Sequence, residues 1–174
     1  MIQRPPIIIV PPTATVMSLD DVKLDLRVAD DDSDPKIERN IHEATQYLER
    51  RLQRSLMTQT LEITLTTFPP DEIWIPYGPV TSIVSVEYDN INGTNIIDSA
   101  DYVLDDYDRL FAADSWPFDA QVVRVRFVAG EADPFAVPAP IRSAFRMKVQ
   151  ELLDGIDNSR LIDRELMQFW NPVA

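Results

Sequence analysis

The spacing of apolar residues changes twice along the chain, and this change constrains the fold most strongly. In residues 35–55 apolar side chains recur every three or four positions, which is typical of an amphipathic helix. In residues 60–65 they alternate with polar ones, as in a strand buried on one face. Residues 140–154 return to helical spacing. The pattern predicts an α+β fold whose helices come from both ends of the sequence and whose strands come from its middle.

Cap residues set the limits of three predicted helices. Ser18 with an acid three residues later resembles a capping box, while Pro35 and Pro140 suit the first turn of a helix. Gly155 suits a helix C-terminus. The predicted helices span residues 18–28, 35–55 and 140–154. We expect these two N-terminal helices and one long C-terminal helix to form a small bundle.

A β region of about five strands is predicted between the second and third helices, in residues 58–130. The segments with strand-like composition are residues 60–65, 73–75, 83–88, 102–104 and 122–128. Asn92-Gly93 is a strong hairpin signal and favours antiparallel pairing. We therefore expect an inserted antiparallel sheet, with residues 18–155 forming a single domain.

Both ends of the chain carry apolar residues without an evident local partner. Prolines flank the isoleucine-rich stretch near the start, so residues 1–17 are predicted to be an extended arm. Residues 156–174 are predicted to be a partner-binding tail with a short helix from Ser159. Exposed apolar and aromatic side chains commonly mark interfaces between proteins. The predicted partner contacts are Ile7, Ile8, Ile9, Val10, Leu166, Phe169 and Trp170.

The chain is strongly acidic, with a formal net charge of −13 at pH 7. Residues 87–119 contain nine acids and one base, and so carry −8 of that total. Such a surface repels nucleic acid phosphates and offers no basic footprint for them. Two interpretations remain open: a solvated sheet edge protected against aggregation, or an acidic surface facing DNA in transit. For the second, the candidate channel-facing residues are Asp105, Asp106 and Asp108.

Motifs for metal or cofactor binding are lacking in the sequence. The acidic run at residues 30–34 has the initial spacing of a calcium loop, but Pro35 and Ile41 stand where that loop needs Gly and Glu. The chain has no cysteine, and His42 is its one histidine. No apolar run approaches a membrane span. We expect no metal, no cofactor and no membrane partner.

A cluster of carboxylates leaves an enzymatic alternative open. Asp101, Asp105, Asp106 and Asp108 lie close in sequence, with Trp116 nearby. A glycosidase needs two acids and often an aromatic platform. A carboxylate-dependent glycosidase of a virus particle is therefore the less favoured alternative.

The order of several local stretches resembles the head–tail connector family of tailed phages. The resemblance begins with residues 17–28 (MSLDDVKLDLRV), the acidic run and the start of the second helix. It continues through Tyr47-Leu48-Glu49 and residues 54–60 (RSLMTQT). It ends with residues 122–130 (VVRVRFVAG) and 137–142 (VPAPIR), and is ordered over most of residues 17–155.

This resemblance implies a structural virion protein and not an enzyme. It implies a dodecameric ring in the particle neck, assembled in the host cytoplasm, that joins the portal protein to a downstream neck or tail protein. DNA would be a partner only in transit through the channel. Gene transfer agents use a similar adaptor, so the particle type stays open. Another neck or tail-completion protein, a stopper or terminator, is the main alternative.

Overall fold

The computed structural model describes residues 3–29 and 31–169. These residues divide into two compact units, which we call the sheet unit and the helical unit. The sheet unit contains the chain up to Thr13 together with Thr58–Gly130. The helical unit contains Ala14–Met57 and the chain from Glu131 onward. The division differs from the predicted arm, single domain and tail, because the arm belongs to the sheet unit and the tail to the helical unit.

The helical unit consists of four α-helices and a final 3₁₀ turn. These are α1 (Leu19–Leu26), α2 (Asp34–Leu52), α3 (Ala139–Asp154), α4 (Ser159–Leu166) and the 3₁₀ helix Met167–Phe169. The predicted start and end signals act as expected: Ser18 Oγ accepts from the Asp21 N–H, and Gly155 ends α3 in a left-handed conformation. None of the helices in the described part of the chain combines the length and the hydropathy of a membrane span.

The core of the helical unit is formed by the predicted stripe of α2. Ile37, Ala44 and Leu48 are fully buried, and they belong to one cluster with Ile141 and Phe145 of α3. The acidic run joins α1 to α2 through an ion pair network, since Lys23 Nζ lies 2.7 Å from Asp31 and 2.6 Å from Asp34. These two carboxylates raise the pKa of Lys23. The run thus has a local structural role.

The sheet unit contains two antiparallel sheets. Its strands are β1 (Ile7–Val10), β2 (Gln59–Leu65), β3 (Glu72–Trp74), β4 (Val80–Asn90), β5 (Gly93–Ile96), β6 (Tyr102–Leu104), β7 (Arg109–Ala112) and β8 (Val122–Ala129). The main sheet has the order β1-β2-β8-β4-β5, and the small sheet has the order β3-β7-β6. One apolar core contains Ile63 and Phe127 of the main sheet together with Ile73 and Leu110 of the small sheet.

The predicted number of five strands matches the main sheet, but two of its members differ. The segments at 73–75 and 102–104 form strands of the small sheet, on either side of β7. Their places in the main sheet are taken by β1, from the predicted arm, and by β5, which follows the turn at Asn92-Gly93. A three-residue strand carries too little pattern to indicate which sheet it joins.

Candidate interaction surfaces

The first predicted site, the acidic loop before β7, is organised by its own carboxylates. Asp105 Oδ1 accepts from the backbone N–H groups of Tyr107 and Arg109, at 2.9 Å each. Its Oδ2 lies 2.7 Å from a terminal nitrogen of the Arg109 guanidinium. Partial burial acts to raise the pKa of Asp105, but these three donors outweigh it and hold the pKa below the ordinary value. The general acid of a glycosidase needs a raised pKa, so Asp105 does not suit the role of general acid.

Asp108 is placed quite differently from Asp106. The Asp108 carboxylate accepts a 2.7 Å hydrogen bond from the Val80 N–H, and its backbone carbonyl accepts from the Ile75 N–H at 2.9 Å. A side chain on Gly78 would overlap with this carboxylate. Asp106 is exposed, whereas Asp105 and Asp108 are half-buried. Of the three candidate channel residues, Asp106 alone has its side chain open to solvent.

The outward face of the small sheet is a surface that sequence reasoning missed. Arg109 lies 5.4 Å from the ring centre of Tyr107 and 5.3 Å from that of Phe111, within the range of cation–π contact. Trp74 pairs with Arg109 across β3 and β7, and Val103 pairs with Phe111 across β6 and β7. The side chains of Trp74, Val103 and Tyr107 are exposed. The sequence Ile73-Trp74-Ile75 was a usable signal. Successive side chains of a strand point to opposite faces, so Trp74 lies on the face away from the buried Ile73 and Ile75.

The predicted contacts Ile7, Ile8, Ile9 and Val10 form the edge strand β1. The strand pairs with β2, starting with Ile7 opposite Glu62, and the register shifts between Ile8 and Val10. The side chains are 56%, 56%, 39% and 51% exposed in that order. The backbone of the predicted arm is thus held by its own sheet, while four consecutive apolar side chains remain open to solvent.

The structure corrects the prediction of an exposed C-terminal anchor at Leu166. Leu166 is 4% exposed and packs with fully buried Ile162 in the core of the helical unit, and Phe169 is half-buried against that core. The reason is that Ile162 and Leu166 are one helical turn apart, so α4 has an apolar face that packs against α3. Trp170, the last predicted anchor, lies outside the described residues.

The polar face of the main sheet is neutralised by ion pairs. Arg124 donates two hydrogen bonds to Asp89, at 2.7 and 2.8 Å, and Arg126 lies 2.8 Å from Glu62. The guanidinium of Arg124 lowers the pKa of Asp89 to about 2. Together with Arg109, these arginines are three of the four basic residues in the sheet unit. Their charges are therefore used within the sheets and form no basic patch.

Among the described residues, no group of three or more His, Cys, Asp or Glu side chains is placed to hold a metal ion. A cavity with a polar lining and a volume of about 430 Å³ lies in the sheet unit, beside Phe68, Trp116 and Phe118. Trp116 stacks on Phe68 with ring centres 4.8 Å apart. Asp71 and Asp114 supply its carboxylates, whereas Asp105, Asp106 and Asp108 do not line it. The cavity thus does not gather the predicted acids.

Comparison with solved structures shows a shared fold over nearly the whole chain. A chain from the neck of an empty GTA particle, computed with C6 symmetry, matches with a TM-score of 0.84 and 16% identity, covering 98% of this chain and 97% of that one. A chain from the virion of a native gene transfer agent (GTA) matches with a TM-score of 0.80 and 17% identity, covering 97% and 96%. One from the neck of a native GTA particle, computed with C12 symmetry, has a TM-score of 0.73 and 16% identity, covering 95% and 97%.

The sequence itself also has a family match. A comparison with curated proteins found no match. Residues 16–111, more than half of the chain, match the family described as Phage gp6-like head-tail connector protein. The matched region begins just before α1, includes α2 and the strands β2 to β6, and ends within β7, so β1, β8, α3 and α4 lie outside it. The chain therefore belongs to the phage gp6-like head–tail connector family.

Proposed function

We propose that this chain is the head–tail adaptor of a phage or gene transfer agent, a structural protein of the particle neck. In this role, copies form a ring between the portal protein and a downstream neck or tail protein, and the ring leaves a channel for DNA. The observation that carries the proposal is the family match over residues 16–111. The fold shared with chains from GTA necks supports it, since the C12 and C6 symmetries of those necks arrange identical chains in closed rings.

The charge of the chain suits a ring that assembles on a template. At −13, copies of the chain repel one another at low salt, which opposes association in free solution. A portal that already arranges its binding sites in a circle removes part of the entropic cost of association. We therefore expect the isolated chain to be monomeric or weakly associated, and expect a dodecameric ring only on the portal.

Sedimentation and electron microscopy test this expectation directly. The purified chain is sedimented at micromolar concentration, alone and with the portal protein encoded by the same particle. The proposal expects a monomer alone and, with portal, a complex whose images show an added ring of rotational symmetry. Failure to bind portal at any stoichiometry contradicts the adaptor role. Binding to the downstream neck ring in place of portal identifies the chain as a stopper or terminator.

The apolar ends are the proposed partner contacts. Ile7, Ile8, Ile9 and Val10 are exposed, and Phe169 and Trp170 follow α4. Trp170→Ala is expected to weaken portal binding at least tenfold, since aromatic anchors dominate such interfaces. Met167→Ala is the control, because Met167 is an exposed apolar residue three positions before Trp170 in the sequence. Equal portal affinity of the two variants would remove the tail from the interface.

The channel assignment rests on the acidity of the sheet unit. Asp106 is exposed beside Asp105 and Asp108, and the three basic residues nearest in the sheets are ion-paired. A wall with negative charge and no free basic patch would let DNA slide without adsorbing. We therefore keep this loop as the proposed channel surface, with Asp106 as its most exposed carboxylate.

A further inference from the structure

The two outermost strands of the main sheet, β1 and β5, have matching features. Each is four residues long, and each pairs on one side only among the described strands. An outermost strand leaves half of its backbone N–H and C=O groups without a strand partner, and proteins usually protect it with charged residues. β1 has no charged residue, and β5 (GTNI) has none either.

Exposed aliphatic side chains accompany both edges. On one edge, all four side chains of β1 are exposed. On the other edge, Ile96 in β5 is 73% exposed and Ile91 in the preceding turn is 85% exposed. Val84, on the part of β4 that extends beyond β5, is exposed as well. Apolar side chains at both edges of one sheet suit an interface in which the β1 edge of one copy covers the β5 edge of another copy.

The charges that flank the two strands have opposite sign. Residues 3–13, which contain β1, carry Arg4 and no acid. Residues 80–98, which contain β4 and β5, carry three acids and no base; Glu87 and Asp89 lie beside Arg124 of β8, so Asp98 is the acid that remains to flank β5. Arg4 lies three residues before β1 and Asp98 lies two residues after β5. If the two strands ran antiparallel in neighbouring copies, Arg4 would face Asp98.

From these observations we propose that β1 of one copy adds, antiparallel, to β5 of the next copy and so joins neighbouring sheets in the ring. The occupant of the β1 edge is therefore a second copy of this chain. The contact is heterologous, because two different edges meet, and repetition of such a contact closes a ring when the rotation allows it. This inference rests on the proposed function, since it assigns the subunit contact of the proposed ring.

Cysteine cross-linking tests the contact without background, since the chain has no cysteine of its own. Ile96→Cys is combined in turn with Ile7→Cys, Ile8→Cys, Ile9→Cys and Val10→Cys, and each double variant is oxidised while bound to portal. Within one copy, three strands separate β1 from β5, about 19 Å at roughly 4.8 Å per strand, which is too far for a disulfide. Covalent multimers therefore report contact between copies.

Antiparallel addition predicts a ladder of covalent multimers when Ile7→Cys or Ile8→Cys is combined with Ile96→Cys. It predicts little cross-linking when Val10→Cys is combined with Ile96→Cys. The four single β1 variants and Ile96→Cys alone are the controls, and none should form a disulfide-linked dimer. Maximal cross-linking at position 10 would overturn the antiparallel direction. A disulfide dimer from a single variant, which would bring the same position of two copies together, or a covalent link from β1 to portal, would overturn the assignment of the neighbour.

A substitution without cysteine provides an independent measurement. Ile8→Glu places a charge on β1 and is expected to reduce ring formation on portal at least tenfold, while the thermal unfolding temperature stays within a few degrees. Glu38→Gln on α2, exposed in the helical unit, is a control that should assemble normally. If rings form on portal yet no double variant cross-links, this inference fails and the proposed function stands. If no ring forms for the unmodified chain, the proposed function itself fails.

Discussion

Asp108 has a left-handed backbone conformation, with φ of 60°, and a carboxylate bonded to the Val80 N–H. Replacement by Ala removes this acceptor from a half-buried N–H and keeps the unfavourable backbone angle. We expect Asp108→Ala to lower the free energy of unfolding by about 1–3 kcal/mol. Asp106→Ala, two residues away and exposed, should change it by less than about 0.5 kcal/mol. Urea unfolding of both variants is the measurement, and equal stability would contradict a structural role for Asp108.

Asp89 is expected to make stability depend on pH in the acid range. Its folded-state pKa of about 2 lies below the ordinary value of 3.8, because Arg124 and Thr94 donate hydrogen bonds to its charged form. A lowered folded pKa gives stability that is fully present above the unfolded pKa and is lost as pH falls through the folded pKa.

The test compares the unmodified chain with Asp89→Asn by chemical unfolding at several pH values. The unmodified chain should be more stable above pH 4, and the difference should shrink between pH 4 and pH 2 as the carboxylate is protonated. Asp119→Asn is a suitable control, because its exposed carboxylate accepts from the neutral Asn90 side chain. A difference between Asp89→Asn and the unmodified chain that is independent of pH would show that charge is not its origin.

At the scale of elements, α4 is expected to be part of the helical unit's stability. Leu166 is 4% exposed, whereas Leu161 on the same helix is 43% exposed. Leu166→Ala should destabilise the unit by about 2–4 kcal/mol through lost apolar burial and the cavity left behind. Leu161→Ala is the matched control and should cost much less. Thermal unfolding measures both, and deletion of residues 159–174 should lower the transition further than either substitution.

The long elements were predictable from the sequence because each combines a clear period with an end signal. The α2 stripe and Pro35 placed a helix at 35–55, and the structure has Asp34–Leu52. The alternation in residues 60–65 and 122–128 placed strands that lie side by side as β2 and β8. Both segments bury one face of the sheet, and successive side chains of a strand point to opposite faces. The alternation of apolar and polar residues in the sequence therefore corresponds directly to a strand.

The short elements show where such reasoning stops. Leu166 is an apolar residue at a helical position, but a helix of eight residues shows the same apolar pattern whether its apolar face covers its own core or a partner. The strand β7 begins at Arg109, a charged residue that is held by Asp105 from four residues before. Its place depends on tertiary contacts that a local pattern does not contain. The same applies to Trp74, whose exposure follows from the position of β3 in the small sheet.

For the whole molecule, composition predicted the character of the surface better than the identity of its contacts. The charge of −13 and the acid-rich stretch at residues 87–119 were evident from the sequence. The structure separates that stretch into acids with structural partners, such as Asp89 and Asp105, and acids that are exposed, such as Asp106 and Asp114. Acids of both kinds add to the net charge through which copies of the chain repel one another. An exposed carboxylate is the better one to substitute, because its replacement breaks no bond that holds the fold.

The channel hypothesis is therefore best tested at Asp106. Asp106→Lys changes the charge of each copy by two and leaves the bonds of Asp105 and Asp108 in place. Each new Lys in a channel wall could engage a DNA phosphate and release a counterion, and a ring multiplies that effect by the number of copies. Particles assembled with this variant should eject DNA more slowly, most clearly at low salt. Glu38→Lys makes the same charge change on an exposed position of α2 and should eject at the unmodified rate. Normal ejection from Asp106→Lys particles would place this loop away from the DNA, and its acidity would then serve solubility and protection of the sheet unit against aggregation.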